Sequence, residues 1–389
     1  MYNRTPWSAF ALMAALAAVR MAVAAPPSND GATIGGGSNI LPKPSTERTL
    51  RLPNPPFNYV DVELPAHFKT PAARRFDNTP SYNALSDNGA TLGRVLFYDT
   101  RLSVNNTIAC GSCHEQKRAF SDPKRVSKGF EGQLGDRNAM SLINLRYQPR
   151  GRFFWDERAR SLEEQVLMPI QSKMELGQDL KGLTEILAKD DHYPELFRKA
   201  FGDSAISRER IARALAQFLR AMVSYQSKFD EGLAKARSVR SDFDNFTAQE
   251  NRGKNLFSRN CASCHMPRGQ TAHFIMIRPL NNGLDADIKN SDGGIGDLTL
   301  NGLQVGLFKS PSLRNVEFTA PYMHDGRFAT LEAVIDHYST GVKPHPNLSG
   351  RLRRRLNFST EQKAALVAFL KTLSDQKFIA DPRFSDPFQ

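Results

Sequence analysis

Cysteine is scarce in this chain, which contains only four among 389 residues. Disulfide frameworks stabilise short secreted chains that are rich in cysteine, so four in this length argue against one. Long hydrophobic runs are also rare: beyond the N-terminal segment, no stretch approaches the ~20 apolar residues of a membrane span. Convincing strand-like alternation of apolar and polar residues is absent as well. The sequence therefore predicts a mainly α-helical protein without a membrane span.

All four cysteines lie in two short motifs of identical spacing. These are Cys110-Gly111-Ser112-Cys113-His114 and Cys261-Ala262-Ser263-Cys264-His265. A C-x-x-C-H motif indicates covalent c-type haem, in which the cysteines form thioethers and the histidine binds the iron. A zinc site built from both motifs is an alternative, although it leaves both histidines unexplained. A thioredoxin-like interpretation needs a βαβ setting, which neither motif has. We predict two covalently bound c-type haems.

Residues 1–24 have the features of a secretory signal. Arg4 precedes an apolar run from Ala9 to Val19, and Ala22-Val23-Ala24 fits a small-residue cleavage site. Because Arg20 interrupts the run, a short amphipathic core helix is the alternative interpretation. Export to the periplasm also suits the cysteines, since bacteria attach c-type haem outside the cytoplasm.

Basic residues outnumber acidic ones, 52 to 40, which gives a formal net charge of +12. The densest basic patch comprises Arg351, Arg353, Arg354 and Arg355. Nucleic acid would suit such charge, but an exported protein rarely meets it, so we expect no nucleic-acid partner. The patch is either a solvated basic face or a surface that steers an acidic electron-donor protein.

The rest of the chain divides into three predicted segments. Residues 25–80 are expected to form a flexible linker or extension, because their first part is rich in Gly, Pro, Ser and Asn. Residues 81–240 and 241–389 each place a short helix before a C-x-x-C-H motif, as a cytochrome c domain does. The expected fold is mainly α, with two tandem cytochrome c-like haem domains and long loops.

Several helices are marked by their capping residues or by their periodicity. Capping boxes predict helices that begin at Ser161, Thr247 and Ser359. Apolar residues at helical spacing predict another from Ser207 to about Tyr225.

The axial ligands of each haem separate an electron carrier from an enzyme. After His114 the next histidine is His192, and the sulfur candidates between them are Met140, Met168 and Met174. If none of these is a ligand, the first iron is open to a small oxidant such as peroxide. For the second iron the residues alone leave seven candidates: Met266, His273, Met276, Met323, His324, His337 and Tyr338.

Glu175 is a candidate proton carrier because it lies in an apolar stretch of the chain. Burial there would raise the pKa of its carboxyl. Such a group could move a proton between the two oxygens of peroxide. A glutamate in a surface loop is the alternative.

Three groups of residues occur in a distinctive order along the chain. They are Asn138, Phe154-Trp155-Asp156, Gln165, Pro169 and Glu175; then Phe308 to Asn315; then Thr319 to Gly326. Together they resemble the bacterial di-haem cytochrome c peroxidases, in particular the MauG-like branch. The resemblance covers residues 81–375, with the motifs in the family's order and at near-identical spacing.

This resemblance implies a role for each matching residue. His114 would be the proximal ligand of the peroxidatic haem, and His265 that of the electron-transfer haem. Glu175 matches the family's catalytic glutamate, Gln165 its peroxide-side glutamine, and Pro169 a proline of the same distal pocket.

Two further matches concern the region between the haems. Trp155 matches a tryptophan that relays electrons between them, although a core tryptophan is the alternative. Asn138, with the backbone carbonyls of Thr319 and Pro321, matches a calcium site, and oxygen ligands suit that cation. The loop from Asn138 to Trp155 is longer than the family's usual version.

Two departures from most of the family sharpen the prediction. The loop from Glu115 to Gly135 lacks the histidine that blocks the oxidised haem in other members, so we expect a permanently open first haem. Tyr338 occupies the position of the usual methionine ligand, as in MauG, and a phenolate would stabilise ferric iron. His337 is the rival ligand, and a buried helix tyrosine is the alternative interpretation of Tyr338.

These features predict an exported di-haem peroxidase that reduces hydrogen peroxide with electrons from a small cytochrome or cupredoxin. A MauG-type maturase, which oxidises residues of a partner protein, is the second hypothesis. A non-enzymatic di-haem electron carrier is the third. A homodimer is compatible with the sequence.

Overall fold

A computed structural model describes residues 44–266, 272–287 and 291–389. The predicted signal at residues 1–24 and the first part of the predicted extension lie outside these ranges. Within them, no helix is both long and apolar enough to cross a membrane.

Helices make up the regular structure of the described residues. In chain order they are α1 Pro71–Arg74, α2 Asp87–Tyr98, α3 Cys110–Cys113, α4 Leu162–Gln171, α5 Leu180–Ala188, α6 Tyr193–Phe201, α7 Arg208–Ala221, α8 Lys228–Lys235, α9 Ala248–Asn260, α10 Ala262–His265, α11 Ile295–Thr299, α12 Leu331–Asp336, α13 Thr360–Lys371 and α14 Gln376–Ile379. Extended segments pair only through isolated bridges in this part of the chain. The predicted mainly α-helical fold with long loops is confirmed.

Helix starts follow the capping residues that the sequence contains. Thr247 and Ser359 each form a reciprocal capping box with the residue three positions on. The hydroxyl of Ser161 caps α4, but its expected partner Glu164 accepts a hydrogen bond from the backbone N–H of Arg160 instead (2.7 Å). The side-chain caps therefore explain where α4, α9 and α13 begin.

In the first half of the chain, α2 crosses α7 at a glycine. A Cβ atom at Gly93 would lie 2.0 Å from the carbonyl oxygen of Ala214, so only glycine permits this approach. One turn further on, the rings of Phe97 and Phe218 pack edge to face with centroids 5.4 Å apart. This crossing brings the end of α2 against α3, which carries the first C-x-x-C-H motif.

The second half repeats this crossing between α9 and α13. A Cβ atom at Gly253 would lie 1.9 Å from the carbonyl oxygen of Ala365. The rings of Phe257 and Phe369, each four positions further along, lie 5.0 Å apart. Because glycine, alanine and both phenylalanines recur at the same spacing, the halves share one helical arrangement. The predicted tandem of cytochrome c-type domains is confirmed.

Two asparagines in equivalent positions hold the ends of the core helices. Asn144 and Asn315 both adopt left-handed backbone conformations, with φ of 55° and 58°. The N–H of Asn144 donates to the carbonyl of Met222 (2.8 Å), and that of Asn315 donates to the carbonyl of Leu373 (3.0 Å). Both carbonyls follow a core helix, so the same contact closes each half.

These asparagines also join the two halves through a buried network. Ser224 donates its N–H to Oδ1 of Asn144 (2.7 Å), and its hydroxyl accepts from Nδ2 of Asn315 (2.8 Å). The same hydroxyl lies 3.1 Å from Oδ2 of Asp375, whose N–H donates to Oδ1 of Asn315 (2.7 Å). All four side chains are buried, so each half completes the hydrogen bonds of the other.

Residues 44–80, which the composition placed in a flexible extension, pack against the helices instead. Tyr59 and Phe68 are buried among apolar side chains. Nε2 of His67 lies 2.7 Å from Oδ1 of the buried Asp230. For this described part of the extension, the expectation of a free linker is therefore corrected.

Candidate active site

A cavity of about 720 Å³ lies beside the first C-x-x-C-H motif. Its volume falls within the range of ~300–1,000 Å³ that is typical of cofactor and ligand pockets. The predicted site residues that line it are Cys110, Cys113, His114, Asn138, Trp155, Gln165, Pro169 and Glu175. The fold thus brings into one cavity the residues that the sequence predicted for the peroxidatic site.

His114 is oriented by the loop that follows it. Its Nδ1 atom lies 2.8 Å from the carbonyl oxygen of Phe120. Because a carbonyl can only accept, Nδ1 carries the hydrogen and Nε2 keeps its lone pair for a metal. Burial lowers the pKa of His114, which keeps the ring in the neutral form that binds iron. Among the described residues, no other histidine lines this cavity.

Gln165 and Pro169 lie one helical turn apart on α4, so they share one face of that helix. Oε1 of Gln165 is buried and has no hydrogen-bond partner among the described residues. It is therefore available to accept a hydrogen bond from a small molecule in the cavity. Pro169 has no N–H and adds an apolar surface to the same wall.

Glu175 lies in the wall of the cavity without a side-chain hydrogen bond in the described structure. Burial raises the pKa of its carboxyl, and the nearby guanidinium of Arg158 partly opposes that effect. The Arg158 guanidinium is itself stacked on the ring of Phe154, 3.7 Å from its centroid, and paired with Asp156 (3.0 Å). A carboxyl with a raised pKa accepts a proton more readily than an ordinary carboxyl and can still release it.

The loop of residues 115–135 holds the backbone of Glu175 in place. The N–H of Phe130 donates to the carbonyl oxygen of Glu175 (2.9 Å). Gly177 has a positive φ of 64°, and a Cβ atom there would lie 2.4 Å from the ring of Phe130. This loop, which contains no histidine, therefore supports the cavity wall rather than supplying a ligand to it.

Trp155 lies where the cavity meets the second half of the chain. Its indole N–H donates to the backbone carbonyl of Asn138 (2.8 Å). Its ring meets that of His324 edge to face at 6.4 Å, and His324 stacks on Phe308 at 3.8 Å. The predicted relay residue is thus continuous with an aromatic stack from the second half.

One predicted calcium ligand, Asn138, is joined through its backbone to the segment that contains the other two. The N–H of Asn138 donates to the carbonyl of His324 (2.7 Å), in the segment that begins with Thr319 and Pro321. The amide nitrogen of Asn138 donates to two backbone carbonyls at 3.2 Å, which turns Oδ1 away from them. No cluster of three or more His, Cys, Asp or Glu suited to a metal occurs in the described ranges. A cation here would depend on amide and backbone oxygens, so calcium stays a prediction.

The second motif follows α9 directly. Burial lowers the pKa of His265 to about 4, so its imidazole is neutral. Its Nδ1 atom is buried without a partner among the described residues; residues 267–271 lie outside them. A neutral imidazole beside two cysteine thiols fits a haem ligand.

Tyr338 lies near this motif, at the start of a π-helical turn that follows α12. Burial raises the pKa of its phenol, a hydrogen bond with the Asn282 side chain lowers it, and the thiols of Cys261 and Cys264 raise it further. Nε2 of His337 lies instead 3.0 Å from the backbone carbonyl of Asn282. Because Nε2 of His337 is engaged by that carbonyl while the Tyr338 phenol lies near both thiols of the motif, the geometry is more consistent with Tyr338 than with His337 as the ligand.

Three other ligand candidates have different surroundings. His273 is stacked on Tyr147, with ring centroids 4.4 Å apart. His324 belongs to the aromatic stack beside Trp155. The Met323 sulfur accepts a hydrogen bond from Nδ2 of Asn282 (3.4 Å). Because the Tyr338 phenol also bonds to the Asn282 side chain, Met323 lies close to the second site.

The residues present fit a haem at each motif. All four cysteines are free of disulfides, and both adjacent histidines are neutral. At the first motif the cavity lining includes Arg137, Arg158 and Lys309, whose positive charge suits the carboxylates of a porphyrin.

Lys309 is the lining residue that sequence reasoning did not single out for its chemistry. Its side chain is buried, and burial lowers its pKa to about 8 although Glu157 and Asp156 oppose the shift. Its backbone N–H donates to the carbonyl of Trp155 (2.7 Å). A single lysine that follows Leu307 and Phe308 suits a surface position equally well, so only the folded chain reveals its burial.

Two family profiles match the chain. One, described as di-haem cytochrome c peroxidase, matches residues 87–238, and the other, described as cytochrome c, matches residues 250–374.

Curated proteins of two kinds are similar to the chain. It is 33% identical over 286 residues to cytochrome c551 peroxidase of Nitrosomonas europaea, which covers 73% of this chain and 79% of that protein. It is 34% identical over 297 residues to the methylamine utilization protein MauG of Methylorubrum extorquens, with coverage of 76% and 80%.

Solved structures show the same likeness. A MauG-like protein associated with microbial copper homeostasis matches with a TM-score of 0.69 and 35% identity, covering 79% of this chain and 95% of that one. The di-haem peroxidase BthA from Burkholderia thailandensis matches with a TM-score of 0.64 and 23% identity, covering 87% and 99%. The latter identity supports a shared fold only.

Proposed function

Because the chain belongs to the family of di-haem cytochrome c peroxidases that includes MauG, we propose that it is an exported peroxidase that reduces hydrogen peroxide to water. Its two C-x-x-C-H motifs hold two c-type haems, one in each half. We assign the open, reacting site to His114 and the electron-transfer site to His265.

The main support for this assignment is the composition of one cavity. His114 and Glu175 both line it, as do the sulfur candidates Met140 and Met174, but no second histidine does so among the described residues. A cavity with a proximal ligand, a proton carrier and no opposing imidazole fits a site that takes up a small oxidant. An electron carrier would need a sixth ligand in that place.

The haem, when bound at the first motif, supplies an iron centre that takes up peroxide and receives electrons. Glu175 accepts a proton from one peroxide oxygen and returns it to the other, which leaves as water. Its raised pKa suits both transfers, because a carboxyl of ordinary acidity would release its proton too readily. In total, one peroxide, two electrons and two protons yield two waters.

Other lining residues position the oxidant and pass on the electrons. Oε1 of Gln165 accepts a hydrogen bond from the peroxide O–H, since no protein group occupies it in the described structure. Pro169 keeps the neighbouring wall apolar and limits stray water. Trp155 relays electrons from the second half toward the cavity.

At the second site we assign His265 and Tyr338 as the iron ligands. A phenolate ligand stabilises ferric iron, which gives this haem a low potential. Asn138, with the carbonyls of Thr319 and Pro321, is assigned to one calcium ion between the two sites.

A MauG-type maturase is the second candidate, and Tyr338 together with the likeness to MauG proteins favours it. In that reaction a protein side chain takes the place of the small electron donor. The partner of the peroxidase reaction would be a small cytochrome or cupredoxin. Both reactions belong in the periplasm, as the signal predicted at residues 1–24 implies.

Absorption and EPR spectra of the ferric holoprotein, before and after one equivalent of peroxide, test the open site. We expect one high-spin and one low-spin haem and a rapid response to peroxide. Two low-spin haems without that response would instead identify an electron carrier. Turnover with reduced cytochrome c then separates the two enzymes, because a maturase would show negligible turnover with every small donor.

A further inference from the structure

Three leucines are held on the surface by a rigid turn in the second half of the chain. Leu298, Leu300 and Leu303 are 51%, 91% and 79% exposed. Leu298 lies in α11, Leu300 directly follows that helix, and Leu303 lies in the 3-10 turn Gly302–Gln304. Single exposed leucines are ordinary, but three within six residues form an apolar patch that needs an explanation. We call these three residues the leucine patch.

The turn that carries the leucine patch is tied down by its own hydrogen bonds. The side chain of Asn301 accepts from the N–H of Leu303 (3.0 Å), and the Thr299 hydroxyl donates to Oε1 of Gln304 (2.8 Å). The N–H of Ile295 donates to the carbonyl of Leu307 (3.0 Å). The backbone therefore holds the leucines outward, and their exposure is a built feature of the turn.

An arginine-rich loop lies beside the leucine patch. Asn347 donates its side-chain amide to the carbonyls of Gly302 (2.7 Å) and Val305 (3.0 Å), which joins the two segments. The loop that follows exposes four arginines: Arg351, Arg353, Arg354 and Arg355. We call these four residues the arginine loop.

The charge of the arginine loop is not neutralised within the described structure. None of its guanidinium groups forms an ion pair or a side-chain hydrogen bond there. Among the acids of the neighbouring segments, Asp285 pairs with Arg327 (2.9 Å) and Asp292 with Arg137 (2.6 Å). Asp297 of α11 is exposed and forms no ion pair in the described structure, and its carboxylate accepts a hydrogen bond from the N–H of Gly293 (2.9 Å). The two linked segments thus combine exposed leucines with arginines whose charge no described acid pairs, a combination that suits recognition of an acidic partner.

Both segments connect directly to the two haem sites. The chain runs from the leucine patch into Phe308, which stacks on His324 beside Trp155. Two residues beyond Arg355, the last residue of the arginine loop, the N–H of Asn357 donates to the carbonyl of Ser339 (3.1 Å). Ser339 directly follows Tyr338 in the chain. A partner seated here would face the segments that carry both the relay tryptophan and the second iron ligand.

From this arrangement we infer that the leucine patch and the arginine loop form the docking surface for an acidic redox protein. Its apolar, redox-active face covers the leucines while its surrounding carboxylates meet the arginines. This inference rests on the proposed peroxidase function and names its electron donor by chemistry. Each docked copper or haem protein gives up one electron, so two are oxidised for every peroxide reduced.

The test uses the holoprotein with an acidic Cu(I) cupredoxin, and a basic c-type cytochrome as the contrast. Stopped-flow measurement of donor oxidation gives the second-order rate constant at several ionic strengths. We expect the acidic donor to react faster at low salt, with a rate constant that falls as salt rises. R353E/R354E should lower that rate constant at least tenfold and flatten its salt dependence.

The leucines and the arginines make separable contributions. L300S/L303S should weaken binding of the oxidised cupredoxin at least tenfold in calorimetric titration, while leaving the salt dependence of the rate unchanged. The charge control is K69E/K181E, which reverses two exposed lysines of the first half and should leave the rate near wild type.

Distinct outcomes separate the docking inference from the proposed function. Peroxide reduction with hydroquinone, a small uncharged donor, reports the catalytic core and should be unchanged in every variant. If it is absent in the wild type, the proposed function fails, while calorimetry still tests docking. Equal rates for R353E/R354E and the lysine control K69E/K181E would overturn the docking inference. A smaller sedimentation mass for L300S/L303S than for the wild type would also overturn it. That result would mean that a second copy of the chain covers the leucine patch in the wild type.

Discussion

The substitution Glu175→Gln removes the proton-carrying group from the cavity while keeping its shape. The amide has the same size as the carboxyl, and the backbone at this position is held by Phe130 (2.9 Å). The Glu175 side chain makes no hydrogen bond in the described structure that would be lost. The variant should therefore fold normally and attach both haems.

The expected loss of activity follows from the role of a positioned proton carrier. Such groups contribute about 10²- to 10⁴-fold in rate, which corresponds to about 2.7–5.4 kcal/mol of activation free energy at 1.36 kcal/mol per tenfold. We expect peroxide turnover of Glu175→Gln to fall by this factor.

The stability of Glu175→Gln should increase relative to wild type, although its activity falls. Because burial raises the pKa of Glu175 above its ordinary 4.5, ionisation costs the folded state more than the unfolded state. Wild-type stability is then lost as pH rises from the unfolded pKa to the raised folded pKa. The amide introduced by Glu175→Gln does not titrate, so the variant should equal wild type in acid and become the more stable protein above that window.

Three measurements on the same preparations test the expected changes in activity and stability: steady-state peroxide turnover, ferric EPR spectra and thermal unfolding between pH 4 and 8. The reasoning predicts slow turnover, unchanged spectra and unfolding temperatures that rise relative to wild type with pH. Unimpaired turnover with normal spectra would refute the proton-carrier assignment. An altered high-spin signal would show that the substitution disturbed the haem instead.

Three further substitutions test other parts of the structure. Tyr338→Phe should change the low-spin EPR signal and raise the potential of the second haem, since the phenolate would be lost. Arg158→Gln should move the acid limb of the pH–rate profile to higher pH, because this guanidinium lowers the pKa of Glu175. Gly253→Ala should destabilise the protein by about 3 kcal/mol, near the upper end for overpacking, in denaturant unfolding, because the nearest atom to the new Cβ is a backbone oxygen at 1.9 Å.

Matched variants define what would contradict these expectations. His337→Gln should leave the low-spin signal intact; the reverse pattern would make His337 the ligand. Gly182→Ala places its Cβ 3.4 Å from the nearest atom in the first turn of α5 and should be neutral or stabilising by up to about 1 kcal/mol. Equal unfolding free energies for Gly182→Ala and Gly253→Ala would show that the helices separate freely at their crossing. An unshifted acid limb in Arg158→Gln would separate that arginine from Glu175.

Local patterns in the sequence were sufficient for the helical fold and for the haem motifs. Capping residues and periodic apolar residues act over a single helix, and the C-x-x-C-H spacing is contiguous, so both can be read directly. Gln165 and Pro169 were identified from a family resemblance, and Glu175 from its apolar surroundings as well as that resemblance; the fold brings all three into one cavity with His114. Their catalytic roles remain predictions.

Features that depend on distant contacts were not visible in the sequence. The anchors Tyr59 and Phe68 stand in a polar, proline-rich segment whose composition indicates a linker. Lys309 looks like a surface lysine because its burial comes from the approach of residues near Trp155. The left-handed turn at Asn144 likewise could not be predicted locally, because the side chain of this residue accepts its hydrogen bond from the distant Ser224.

The buried network of Asn144, Ser224, Asn315 and Asp375 has a consequence for how the molecule can be divided. Its polar groups are satisfied only when both halves are present, and a buried unpaired donor or acceptor costs about 1–3 kcal/mol. Either half expressed alone would expose or orphan these groups along with the facing apolar surface. The smallest unit that can be exchanged between relatives is therefore the pair of haem domains. Chimeras should exchange both domains together.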